Sequence, residues 1–155
     1  MGRSLVRLGL GAGLAGLAGL LAPSGAVAGP ACPDAALAPL PERTLTALIN
    51  RKRARAGVVP VAKAVPLVRA GRRKSLAMAR GAPFAHTADL PWAGAAAAGQ
   101  NLAYAADARR ALVAMLRSPA HRRNLLDGDW RRAGVGAARG CDGMLYFTVN
   151  LIAPR

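Results

Sequence analysis

The chain has 155 residues, 53% of them hydrophobic, and carries a formal net charge of +15 from 22 lysines and arginines against seven acids. That length allows one domain, and two cysteines without C-x-x-C spacing argue against a thiol enzyme. No internal repeat occurs, nor any P-loop, dinucleotide-binding or zinc-finger pattern.

Residues 1–28 have the layout of a secretory signal peptide. Arg3 and Arg7 form a positive start, Leu8 to Ala22 an apolar run, and Ala26-Val27-Ala28 a small-x-small cleavage site. The apolar run is short for a membrane span of about 20 residues. The mature chain is therefore expected to begin at Gly29 and to lie in the periplasm or outside the cell. Arg3 and Arg7 account for only two of the fifteen net charges, so the basicity belongs to the mature part. Nucleic acid is the usual partner of such a surface, but export argues against it. The expected partners are an anionic envelope polymer or lipid head groups at a membrane surface, met by a monomer.

An oxidising compartment favours a disulfide over two free thiols. Cys32 follows the cleavage site and Cys141 lies in the last hairpin turn, so a Cys32–Cys141 bridge would tie the N-terminal tail to the C-terminal strands. Residues 29–41, with four prolines, form a lead-in without helical or strand period, and residues 42–155 form the domain.

The first helix is expected from about Glu42 to Ala56, with Leu45, Leu48 and Ile49 at helical spacing and Gly57 as its stop. Arg51, Lys52, Arg53 and Arg55 are assigned to its solvated end. A second helix is expected from about Pro66 to Arg80, with Leu67, Val68, Ala70, Gly71, Ala77 and Met78 inward and Arg69, Arg72, Arg73, Lys74 and Arg80 as a basic outer band. Residues 81–99 are expected to be a long loop carrying His86, Asp89 and Trp92. Leu102 to Ala105 is a strand candidate. Asp107 caps a helix running to Leu116, and Ser118-Pro119 opens another to Leu126, a hydroxyl cap followed by a proline pre-set for the first turn. Arg132 to Ala138 and Met144 to Ile152 flank a turn and predict a hairpin. Pattern alone reaches an α+β fold.

Several fragments in order resemble one family. They are Leu48-Ile49-Asn50 with Arg53, Phe84 with His86, Gly99-Gln100-Asn101, Ser118-Pro119-Ala120-His121-Arg122-Arg123-Asn124-Leu125-Leu126, Gly134-Val135-Gly136 and Tyr146-Phe147-Thr148. This order resembles the CAP superfamily of cysteine-rich secretory and pathogenesis-related proteins, in particular its short bacterial SCP-domain members. The resemblance implies an α-β-α sandwich with a small, mainly antiparallel three-stranded sheet between helices. In many eukaryotic CAP domains two histidines and two glutamates line one central cleft, where the histidines can hold a divalent metal such as zinc.

His86 and His121 occupy the two histidine positions of that cleft. Gln100 stands where the family carries one glutamate, and the other would fall near Ser118, where no carboxylate is present. Cleft residues are thus expected to be His86, Gln100, Asn101, Ser118 and His121, with His86 and His121 as candidate metal ligands and Asp89 as a conceivable third. A glutamine neither takes a proton usefully at neutral pH nor offsets a cation's charge, so no catalytic residue is assigned. Ser118, His121 and Asp127 are near one another in sequence, but a hydrolase triad is recognised by geometry. The family has been linked to sterol or fatty-acid binding and to extracellular signalling or defence. The expected function is non-enzymatic binding at the envelope, and the alternative is a metal-assisted hydrolase using the two histidines.

Overall fold

The computed structural model describes residues 31–87 and 94–155. The signal-peptide segment, Asp89 and Trp92 lie outside the described residues. In chain order the elements are β1 (Ala36–Leu37), α1 (Pro39–Arg55), β2 (Ala62–Lys63), α2 (Val65–Ala79), β3 (Ala95–Ala105), α3 (Ala108–Arg117), α4 (Pro119–Leu126), β4 (Arg132–Arg139) and β5 (Leu145–Pro154). The central ladder is β4-β5-β3, antiparallel throughout, with β1 antiparallel and β2 parallel on the outer edge of β4. This is the expected α+β sandwich, widened by two strands of two residues each. Both of those lie in segments whose prolines and alanines carry no strand period.

Side-chain alternation in the strands divides the core. Ala133, Val135, Phe147, Val149 and Leu151 face a layer formed by Leu45 and Ile49 of α1, Ala111 and Met115 of α3, and Leu125 of α4. Full burial of a side chain such as Phe147 or Leu45 stabilises by about 1.5–3 kcal/mol. Among the described residues, α2 is the helix packed on the opposite face. There the helix lies directly on backbone, because a Cβ at Gly136 would come within 2.0 Å of the Gly71 carbonyl carbon. Ser75 of α2 donates to Gly136 O (3.1 Å) and pairs with the Thr148 hydroxyl (2.9 Å), which keeps this buried contact satisfied.

Four expectations change. Ser75, not Ala77, faces the core from α2; Ala77 is exposed. Arg72 leaves the basic band: its guanidinium pairs in bidentate fashion with the buried Glu42 of α1 (2.7 and 2.9 Å), the chain's one glutamate. Arg53 is not at a solvated helix end but fully buried. Finally, β3 begins at Ala95 rather than Leu102, so part of the expected loop is strand. An alanine run has little strand propensity of its own, and it pairs because Ala97 to Ala105 lie in register against Ala153 to Leu145.

The disulfide joins Cys32 to Cys141, with the two Cα atoms 5.6 Å apart. Cys32 is buried in a small second core with Ala35, Ala79 and Ala138.

Candidate functional site

The site lies at β3, the strand on the free edge of the β4-β5-β3 ladder. Three consecutive residues, Gly99, Gln100 and Asn101, do three different things there. Gly99 lets α4 approach: a Cβ at this position would fall 2.5 Å from Asn124 Oδ1 and 3.0 Å from the Trp130 ring. Asn101, fully buried, donates from Nδ2 to the His121 carbonyl (2.9 Å) and accepts from Asn124 Nδ2 (2.7 Å). Trp130 Nε1 in turn donates to the Asn124 carbonyl (2.7 Å). These bonds hold the first turn of α4, and so His121, against the strand. Ser118 is the N-cap of that helix, accepting from the His121 N–H at 3.5 Å.

Gln100 points to the opposite face, as strand alternation requires. Its Nε2 donates to Asn150 Oδ1 (3.0 Å) across the ladder and to Thr87 Oγ1 (3.2 Å). Its Oε1 accepts the Thr87 backbone N–H (3.0 Å) and lies 3.2 Å from His86 Nδ1. A backbone N–H only donates, so the atom facing it is the amide oxygen, and His86 Nδ1 is then the protonated nitrogen. Gln100 thus clamps the segment after α2 onto the sheet and sets the His86 tautomer.

The two histidines meet across the edge of β3, with ring centroids 6.1 Å apart and planes inclined at 59°. His121 is half-buried. Loss of solvation, and then the facing His86, push its pKa below the ordinary 6.5. The structure therefore brings together His86, Gln100 and His121 around one edge, with Asn101 and Ser118 supporting α4 from behind.

The donor set can be compared with a metal site. Catalytic zinc usually has three protein ligands. Among the described residues no group of three or more His, Cys, Asp or Glu stands together. The position beside His86 that a carboxylate would use holds an amide already engaged by four groups of three residues, His86, Thr87 and Asn150. Two imidazoles and this amide do not fit a catalytic zinc centre.

Comparison with known proteins identifies the family. A model of the cysteine-rich secretory protein family, CAP, matches residues 46–151. The chain belongs to the CAP family. No curated protein matches the sequence. Among solved structures, this CAP domain is similar to an outer surface protein from Borrelia burgdorferi, with TM-score 0.68 and 16% identity over 75% of this chain and 94% of that one. An extracellular protein containing a SCP domain from Bacillus anthracis has TM-score 0.63 and 25% identity, over 74% of this chain and 40% of that one. A cysteine-rich secretory protein from Staphylococcus aureus has TM-score 0.62 and 20% identity, over 74% and 39%. The CAP domain thus spans well under half of the Bacillus and Staphylococcus chains.

One residue of the site's support escaped the sequence reading. Arg53 donates to the carbonyls of Val59 (2.9 Å), Leu125 (2.8 Å), Asp127 (2.9 Å) and Trp130 (3.3 Å). It therefore fixes the far end of α4 as Asn101 fixes the near end. A signal was present, since Arg53 continues the four-residue spacing of the buried Leu45 and Ile49.

The lowered His121 pKa has a consequence for stability. A histidine whose folded pKa lies below its unfolded value stabilises fully above the unfolded value. That contribution is lost as pH falls from about 6.5 through the folded value, because the unfolded chain takes up the proton first. The thermal midpoint should fall between pH 7.5 and pH 5.5, and His121→Gln should fall less than wild type over the same interval. Circular dichroism melts at the two pH values check this; an equal fall in both proteins means that His121 is not held neutral by the fold.

Proposed function

We propose that this CAP domain acts outside the cell membrane as a non-enzymatic binding protein for a polyanionic envelope surface. The observation that supports it best is the fate of the basic side chains. Arg53 and Arg72 are taken up by internal bonds, while Arg69, Arg73 and Arg80 remain exposed along the outer side of α2, a helix without any acidic residue. Two of the matched structures are described as an outer surface protein and an extracellular protein, and the Cys32–Cys141 bridge suits an oxidising compartment. A cavity of about 300 Å³ between α1 and β4 is lined by Val68, Ala133 and Val135, with Arg43, Lys63 and the Arg72-paired Glu42 beside them. It adds an apolar recess next to cationic groups, which suits a lipid as the polyanionic partner.

Co-sedimentation with phosphatidylglycerol vesicles, and titration with a soluble poly(glycerol phosphate) teichoic acid, separate the lipid from the polymer. At least one of the two should bind at low salt and release at about 1 M, where the screening length is about 3 Å. The triple variant Arg69→Ser, Arg73→Ser, Arg80→Ser should bind more weakly to that partner. Binding that survives molar salt overturns the electrostatic reading.

The alternative is a metal-assisted hydrolase, and one observation favours it: the fold brings the His86 and His121 rings together, with centroids 6.1 Å apart. Calorimetric titration with zinc tests it. Wild-type protein should bind more weakly than millimolar, because two neutral ligands lack the charge and number of a closed donor set. Tighter binding that is lost in His121→Ala reinstates the hydrolase.

A further inference from the structure

The α2-facing side of β3 carries Gln100 near its middle and Tyr104 near its end, about 14 Å further along at the usual strand rise. Tyr104 and its register partner Tyr146 stand with ring centroids 4.9 Å apart and planes at 60°. Phe84, two residues before His86, lies 6.4 Å from Tyr146 at 58°. The chain has only six aromatic residues, so half of them meet at this one place. Tyr146 is half-buried against the second core, but core packing does not account for the other two rings: Phe84 and Tyr104 remain 42% and 44% exposed, whereas Phe147 on the other face is 0% exposed.

Beside the rings is a carboxylate held in a fixed position. The Tyr104 hydroxyl donates to Asp142 Oδ2 (2.5 Å), and the Met144 N–H donates to Oδ1 (3.0 Å). The hydrogen bond to Asp142 pushes the Tyr104 phenol up to about 12 and, reciprocally, holds the Asp142 carboxyl below its ordinary range. Across the physiological range the tyrosine therefore stays a donor and the aspartate an acceptor. A carboxylate offers about four acceptor positions, and two are used internally. The Cys32–Cys141 bridge anchors the residue next to Asp142, so the hairpin turn is tied to the domain.

We propose that Phe84, Tyr104, Tyr146 and Asp142 form a sugar-binding shelf, on which a pyranose ring lies against the exposed aromatic faces and gives its hydroxyl hydrogens to Asp142. A sugar has an apolar C–H face and a polar rim, and this surface presents the complement of both, with rings from β3, β5 and the segment after α2 beside a carboxylate from the β4–β5 turn. An ammonium group is the other ligand that rings and a carboxylate can hold. It is disfavoured here because the Arg139 guanidinium is fixed on the Gly143 carbonyl in the same turn, on a strongly cationic domain. The proposal rests on the envelope-binding reading and deepens it: the basic surface gathers the polymer, and the shelf reads its sugar.

The test is titration of the full mature chain with tri-N-acetylchitotriose, an uncharged probe, followed by calorimetry and amide chemical shifts. Saturable binding is expected, with shifts at Phe84, Tyr104 and Tyr146, and the same affinity at low and molar salt. Tyr104→Ala should weaken it about tenfold, equivalent to about 1.4 kcal/mol. Phe84→Ala should weaken it in the same direction, and Tyr104→Phe, which keeps the ring but frees Asp142, by less. Leu40→Ala, exposed on α1, should bind as wild type. Absence of saturable binding overturns the shelf, as does wild-type affinity in both alanine variants, or tetramethylammonium competing for the same shifts. Loss of sugar binding alongside intact salt-dependent polyanion binding overturns the shelf and leaves the basic-surface reading standing. Sugar binding without polyanion binding does the reverse.

Discussion

Arg53→Ala is expected to cost about 4 kcal/mol or more of unfolding free energy, a large part of the roughly 5–15 kcal/mol typical of a domain. The guanidinium is wholly buried and donates to four backbone carbonyls, those of Val59, Leu125, Asp127 and Trp130. A hydrogen bond to a charged group contributes about 1.5–3 kcal/mol, and each buried acceptor stripped of its donor adds a desolvation cost. Burial pushes the Arg53 pKa down and the neighbouring Asp127 opposes this, so the charge is held by local dipoles and one nearby carboxylate rather than by a direct ion pair. Arg53→Lys should recover only part of the loss, because one ammonium cannot span the fork's four acceptors. Urea unfolding of the three proteins measures the effect. Hydrogen exchange should quicken first at the amides of α4, since three of the carbonyls belong to its last turn and the loop that follows. A shift in Arg53→Ala below about 1 kcal/mol would mean that water replaces the guanidinium at no cost, and would overturn the assignment.

The second large effect is expected from the disulfide. Cys32 and Cys141 are 109 residues apart in sequence. Closing a loop of that order limits the unfolded chain by up to about 4.7 kcal/mol in the entropic model, and less where the reduced chain keeps structure. The double variant Cys32→Ser, Cys141→Ser should lose stability by that mechanism, and wild type unfolded in reductant should match it. The loss should be largest around β1 and the β4–β5 turn, because Cys32 packs with Ala35, Ala79 and Ala138. Thiol titration of oxidised, denatured protein should find none free. Equal stability of oxidised and reduced wild type would show that the bridge constrains nothing that the fold does not already hold.

Much of the architecture was legible before any coordinates. Ser118-Pro119 announced α4, whose limits are those expected, and Asp107 announced α3 by capping the Arg110 N–H (2.8 Å). In both cases the signal and the structure it specifies lie within one helical turn. The β4–β5 hairpin was legible for the same reason, its two strands meeting across a short turn. The first half of β3 was not legible, because its alanines form a strand only through pairing with β5, some fifty residues later.

The site divides along the same line. Sequence by itself determined the family motifs, the identity of the polar residues and the replacement of an expected glutamate by Gln100. Only the tertiary structure decided that Gln100 and Asn101, adjacent in the chain, serve opposite faces of β3, one clamping the His86 segment and the other α4. It also decided that one arginine in the run Arg51, Lys52, Arg53 is interior while its neighbours stay at or near the surface. Residue type and spacing act over a few positions. Strand alternation, register and the closure of long loops decide which face each side chain meets, and these are properties of contacts between segments far apart in the chain.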